Sequence, residues 1–170
     1  ELPPLPRELV ARMDQILPAY WSRANPVDIV GEQDWSIPMT IMELLLDWEG
    51  CDAVLNLGIM GRKVFGQRLV QGAARFDPLL TPKQIEAAVN LLNGYEERFV
   101  GHIVELMERH RKPVFGVTLL AEGQDQTVYR VAEKPFAGIF YPTPERAAKA
   151  IAKMVEYAQF RALDRDANAG

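Results

Sequence analysis

The chain has 170 residues, the size of one domain or of one domain with a short tail, and its 48% hydrophobic and 25% charged residues suit a globular core. A formal charge of −4 offers no basic field to a nucleic-acid backbone, which sets that partner class aside. The single cysteine, Cys51, forms no internal disulfide, no apolar run is long enough to span a membrane, and the start Glu-Leu-Pro-Pro-Leu-Pro is no secretion signal, so the expected location is the cytoplasm.

Residues 1–5 are proline-rich and read as extended. From Pro6, the residues Leu9, Val10, Met13, Ile16 and Leu17 recur at helical spacing, and Pro18 ends the pattern. Tyr20 and Trp21 read as a packing lid. Asn25-Pro26 is a rigid polar turn, and Val27, Ile29 and Val30 form an expected short strand closed by Gly31. Asp28 lies among apolar residues and needs a donor if buried; a structural hydrogen bond is favoured over catalysis. Ser36 is the expected N-cap of a helix over 37–48, with Ile37, Ile41, Leu44, Leu45 and Trp48 on one face and Gly50 at its end.

Asp52 to Gly58 is a short apolar run after a helix, the pattern of a parallel strand covered on both faces. A helix over 62–75 carries Val64, Phe65, Leu69 and Ala73 as its apolar set. Thr81 and Gln84 have capping-box spacing, and one apolar stripe then runs to His110. For a helix of this length two readings stand open: a bend at Gly94 and Gly101, or packing of one part on a partner, a second copy of the chain included. Pro113 to Leu120 reads as a strand, 121–126 as a polar loop, and Thr127 to Val131 as a strand or a short helix, with an edge strand favoured. Gly138 to Pro142 is the last core strand. Thr143 and Glu145 flank the start of a final helix whose Ala147, Ala148, Ile151, Met154, Val155 and Ala158 should face the core, leaving a polar tail from 164. Strands alternating with helices imply an α/β fold with a parallel sheet covered on both faces, whose ligands sit at the carboxyl ends of strands.

Gly58, Gly61, Arg62 and Lys63 follow a strand and open a helix, so their backbone N–H groups and two cations form a candidate anion site. The spacing is neither a Walker A nor a Rossmann fingerprint, and a solvated loop with a basic helix start is the favoured reading. His102 and His110 stand eight residues apart on one helix and complete no metal set; Glu96, Glu97, Glu105 and Glu108 read as the solvated face of the same helix. No nucleophile–base pair is visible.

Three stretches in order resemble the NDP-forming acyl-CoA synthetase family, which comprises the acetate–CoA ligase (ADP-forming) and succinyl-CoA ligase-like proteins. They are Asn25-Pro26-Val27-Asp28-Ile29, Cys51-Asp52-Ala53-Val54-Leu55, and Gly138 to Ala148 with Met154 to Tyr157. The resemblance implies the family's C-terminal flavodoxin-like CoA-ligase domain over 1–163, with its first strand–helix unit missing and supplied upstream or by another chain. The family interconverts acyl-CoA, NDP and phosphate with acid, NTP and CoA through an acyl phosphate and a phosphohistidine. No Ser-His-Thr-Gly-type loop is present, so neither histidine inherits the phosphohistidine role and no residue of this chain is expected to be catalytic. CoA and ADP or ATP would belong to the parent enzyme, and the partners would be its other domains or subunits. Asn25, Pro26, Asp28, Gly58, Gly61, Arg62, Lys63, Thr143 and Glu145 are the candidate ligand or domain-interface residues. The alternative is a free-standing flavodoxin-like module that binds an anion or serves assembly.

Overall fold

Four short strands make a sheet in the order β1-β2-β4-β3. They are β1 (Val54–Leu57), β2 (Val114–Val117), β3 (Val128–Arg130) and β4 (Ala137–Tyr141). The computed structural model describes all residues except 32, 33, 35, 77–80, 119–126, 169 and 170, together with the side chains of 62–65, 92, 93 and 164–168. The expected loop at 121–126 and the last two residues of the expected strand over Pro113–Leu120 therefore lie outside the described residues. β1 pairs parallel with β2, β2 parallel with β4, and β3 antiparallel with β4 as an edge strand. The expected α/β architecture holds, with helices on both faces of a mostly parallel, flavodoxin-like sheet.

Side chains alternate across a sheet, so Val54, Val114, Gly138 and Phe140 share one face. On that face lie α2 (Ile37–Asp47) and α4 (Pro82–His110), the latter 29 residues long. Tyr95, Phe99, Val100, Ile103, Val104 and Leu106 of α4 form one buried cluster with Val54, Val114, Phe140 and the α2 residues Met42 and Leu46. The Thr81–Gln84 capping box starts α4 as expected: the Thr81 hydroxyl accepts from the Gln84 N–H at 3.3 Å, and Gln84 Oε1 accepts from the Thr81 N–H at 2.9 Å. Arg111, at φ 56°, ends it in the left-handed region. Phe115 and Val117 point to the opposite face, where α5 (Pro144–Asn168) covers β2 and β4 and buries Ala147.

Several expectations fail for packing reasons. α3 (Arg62–Phe76) forms where expected and packs on α4, but Leu69 and Ala73 face solvent, so they are no core set; Val64 and Phe65 lie outside the described side chains. Glu96 is buried rather than solvated. In α5 Ala148 is exposed, and beyond Ile151 the helix runs past the sheet: Met154 and Val155 are 51% and 50% exposed, and Ala158 is exposed too. The helix continues to Asn168, through the stretch expected as a tail. The N-terminal helix α1 (Arg7–Met13) stops well before Pro18, and of the expected lid only Trp21 is buried, with Tyr20 in solvent.

The core admits no side chain at Gly116, because a Cβ there would stand 2.0 Å from Cδ1 of Phe140 on the neighbouring strand. Gly116→Ala is expected to destabilise the fold by about 1–3 kcal/mol through overpacking. Phe140→Ala should cost about 3–5 kcal/mol by leaving a cavity under α4. Urea unfolding measures both, and an unchanged Gly116→Ala midpoint would contradict this placement of the ring.

Candidate functional site

In a parallel ladder, alternate residues of a strand bond to opposite neighbours. The Val54 N–H donates to the Pro113 carbonyl at 3.1 Å and the Gly58 N–H to the Val117 carbonyl at 3.2 Å, so the even-numbered residues of β1 turn their backbones to β2. The N–H and C=O groups of Leu55 and Leu57 consequently point away from the sheet, to an edge that no described strand pairs. Leu55 and Leu57 are 36% and 55% exposed, and α5 packs mainly on β2 and β4. The expectation that this strand is covered on both faces is therefore corrected: β1 is an edge strand with one open face.

A cleft of about 600 Å³ runs along this edge. Ala53 to Leu57 form its inner wall, Ile41, Met42 and Leu45 of α2 line it together with Trp48 just past the helix, and Leu2, Pro3 and the stretch Asn25 to Ile29 complete the lining. Each wall has a local cause. The Asn25 side-chain amide donates to the Pro3 carbonyl at 3.2 Å, tying the extended N-terminus to the turn, and the Asn25–Pro26 bond is cis. The Asp28 carboxylate accepts the Val30 N–H at 2.8 Å, an Asx-type turn. Val30 and Gly31 then take φ values of 51° and 68°, in the left-handed region that a β-branched residue seldom occupies. The expected strand over Val27–Val30 does not form, because the Asx turn takes the amide that a ladder would need.

Trp48 is seated by Gly50, where a Cβ would meet its ring at 2.4 Å. The Lys112 ammonium donates to the carbonyls of Leu46 and Trp48, each at 2.8 Å, and closes the end of α2. The start of α2 also differs from expectation. Ser36 makes no capping bond; its N–H and hydroxyl both donate to the Asp34 carboxylate, which they hold below its ordinary range. Burial pushes the Cys51 thiol up, the Lys112 cation partly opposes this, and the thiol donates to the Ala53 carbonyl at 3.4 Å.

Behind the cleft, Leu9, Met13, Leu17 and Trp21 pack with Ile37, Ile41 and Leu44 as a second core. Its polar clasp is Asp14, which accepts from the Trp21 indole N–H at 2.7 Å and pairs with Arg23 at 2.9 Å. The Trp21 bond, followed by Arg23, holds the Asp14 carboxyl below the usual carboxylate range.

Of the residues expected to form a site, Asn25, Pro26 and Asp28 border the cleft. Gly58 and Gly61, at φ 81° and 88°, instead shape the loop at the carboxyl end of β1. The side chains of Arg62 and Lys63 lie outside the described residues. Thr143 and Glu145 form the start of α5: the Thr143 hydroxyl accepts the Arg146 N–H at 3.4 Å, and Glu145 is held below its ordinary range by its own backbone N–H and then by Thr143. His102 approaches the Met39 carbonyl at 3.4 Å and His110 the Asp47 carboxylate at 3.7 Å, both of which tie α4 to α2. Among the described residues, no group of three or more His, Cys, Asp or Glu side chains is placed to hold a metal ion.

Sequence reasoning missed Leu2, Pro3, Trp48 and the outward edge of Leu55 and Leu57, since no local signal says which strand ends a sheet. Among the described residues, the cleft offers a ligand apolar surface, the outward backbone edge of β1 and the Asp28 carboxylate, one oxygen of which is engaged in the turn. Among known proteins, no family model, no curated protein and no solved structure matches the chain.

Two measurements test these walls. Lys112→Met is expected to cost about 1.5–3 kcal/mol in urea unfolding, by stripping two carbonyls of a charged donor. Asp14 has a lowered folded pKa, so its contribution to stability is complete above the ordinary carboxylate range and is lost as the pH falls through the folded value. The gap in urea midpoint between the native chain and Asp14→Asn should therefore close on acidification; a gap that widens would reverse the assignment.

Proposed function

We propose that this chain is a non-catalytic, domain-packing part of an NDP-forming acyl-CoA synthetase-like enzyme. In this reading it completes the CoA-ligase portion, while CoA, nucleotide and the phosphohistidine belong to other domains or subunits. The observation that carries it is the bare edge of β1. Leu55 and Leu57 lie in a stretch whose composition suits double coverage, yet they remain open to solvent beside an apolar cleft. Contiguous exposed apolar surface on a folded domain marks a contact with something else. The three-part resemblance supplies the enzyme class, and its Asn25 and Cys51 stretches meet at this cleft.

The isolated chain, given short-chain or aromatic acids with CoA and ATP or GTP, is expected to form no acyl-CoA. A parent polypeptide containing it is expected to do so, and Leu57→Lys should lower that activity at least several-fold by placing a charge at the packing edge. A parent polypeptide without thiokinase activity on any such acid would sink the enzymatic reading.

A second reading is favoured by one observation. Gly58 and Gly61 both adopt positive φ at the carboxyl end of β1, directly before α3, where open α/β sheets place their ligands. Under it the chain is an anion-binding module, and calorimetry with CoA, phosphate and ATP should show binding that Arg62→Ala with Lys63→Ala abolishes. No heat with any of the three would dismiss it.

A further inference from the structure

We infer that the outer face of α3 binds an acidic amphipathic helix of a partner protein. This surface shares no residue with the cleft, and the inference goes beyond the packing role proposed above.

The apolar pattern marks the surface. Leu69, Ala73 and Phe76 stand at i, i+4 and i+7, so at 3.6 residues per turn they fall within about 60° of one another around the helix. Such spacing belongs to a buried stripe, yet all three are exposed, Leu69 at 63% and Phe76 at 87%. Phe76 is the most exposed large apolar side chain among the described residues. The fold does not use this stripe. Gly66, Val70 and Ala74 are half-buried about 100° round the helix, and they mark the face on which α3 packs against α4. A helix with one face on its own fold and a second apolar face in water has a contact still to make.

Charge selects the partner. α3 contains Arg62, Lys63, Arg68 and Arg75 and no carboxylate. The whole chain has a net charge of −4, so with +4 on this helix the remainder carries −8. Arg68 and Arg75 are exposed, seven residues apart, on the flank of the stripe turned away from α4. A complementary surface seats apolar side chains on Leu69, Ala73 and Phe76 and sets carboxylates beside them to meet Arg68 and Arg75. One amphipathic helix with Asp or Glu on the flank of its apolar face supplies both at the matching period.

An anionic bilayer offers the same two chemistries, but the surface favours a helix. The stripe is two turns long and one helix wide, with α4 packed against the same helix. A bilayer is a plane, and it would also repel the −8 on the rest of the chain, whereas a helix approaches α3 alone. A second copy using the same face would set +4 against +4.

The test uses the whole chain and a synthetic peptide, three repeats of Leu-Ala-Glu-Leu-Leu-Glu-Glu, with a counterpart in which every Glu is Lys. In calorimetry at low salt the acidic peptide is expected to bind and the basic one to bind about tenfold more weakly or worse. Added salt should weaken the acidic complex, and NMR should place its shifts at Leu69, Ala73 and Phe76. Phe76→Ser and Leu69→Ser each change an exposed site, so they should weaken binding about fivefold or more while leaving the urea midpoint in place. Arg75→Glu should narrow or reverse the preference between the two peptides, which unspecific apolar contact would not do.

No heat with the acidic peptide, equal binding of the two peptides, or binding untouched by Phe76→Ser overturns the inference. A lowered urea midpoint for Phe76→Ser would place the ring in the fold and overturn it as well. Sedimentation with vesicles of phosphatidylserine and phosphatidylcholine, abolished by Phe76→Ser in a chain that ignores the peptide, overturns it in favour of a membrane. A dimer that Phe76→Ser dissociates overturns it in favour of a second copy. An inactive parent polypeptide removes the synthetase reading and leaves this inference standing.

Discussion

The structure hangs on the contact between the carboxyl-terminal half of α4 and one face of the sheet. From Tyr95 to Met107 this helix buries a continuous apolar face against Val54, Val114 and Phe140, and α2 packs into the same cluster. The close approach depends on Gly116, which leaves space for the Phe140 ring, and on Gly138, where a Cβ would stand 3.1 Å from both Phe140 and Val100. Burial of this kind is the dominant favourable term in folding, so a single helix joins elements far apart in sequence. The polar contacts linking α4 and the segment after it to α2 lie at the rim: Arg109 with Glu43, His110 with Asp47, and Lys112 with two α2 carbonyls. These fix the angle of α2, and with it the wall of the cleft.

The second organising constraint is the Asx turn at Asp28. A carboxylate that takes the Val30 amide two residues on competes with strand pairing for the same donor. The turn wins, the chain bends away from β1, and an edge remains open where a strand could stand. The small core around Trp21, clasped by Asp14, holds that bent segment and the N-terminus in place. The apolar surface of the chain is thus divided between a sealed face under α4 and an unsealed edge at β1. The same division appears in α5, whose first turns cover the sheet and whose later turns carry Met154 and Val155 into solvent.

The stretches at Asn25 and Cys51 meet at one cleft, while Thr143 and Glu145 serve as a helix start elsewhere. Asn25 ties the N-terminus to the turn, and Asp28 makes the turn.

Much of the fold was legible in the sequence. The Thr81–Gln84 box, the 29-residue span of α4 and the positions of β1, β2 and β4 follow from capping chemistry and apolar periodicity, which act over a few residues. By themselves those local rules determined an α/β chain with helices on both faces of a mostly parallel sheet. Tertiary structure decided the rest: that β1 ends the sheet, that Val27–Val30 turns instead of pairing, that Glu96 is buried, and that Met154 and Val155 are not. An apolar residue in a sequence carries a preference for burial but no address. Whether Leu57 meets a helix, a partner strand or water depends on which elements arrive beside it, and only the assembled fold fixes that.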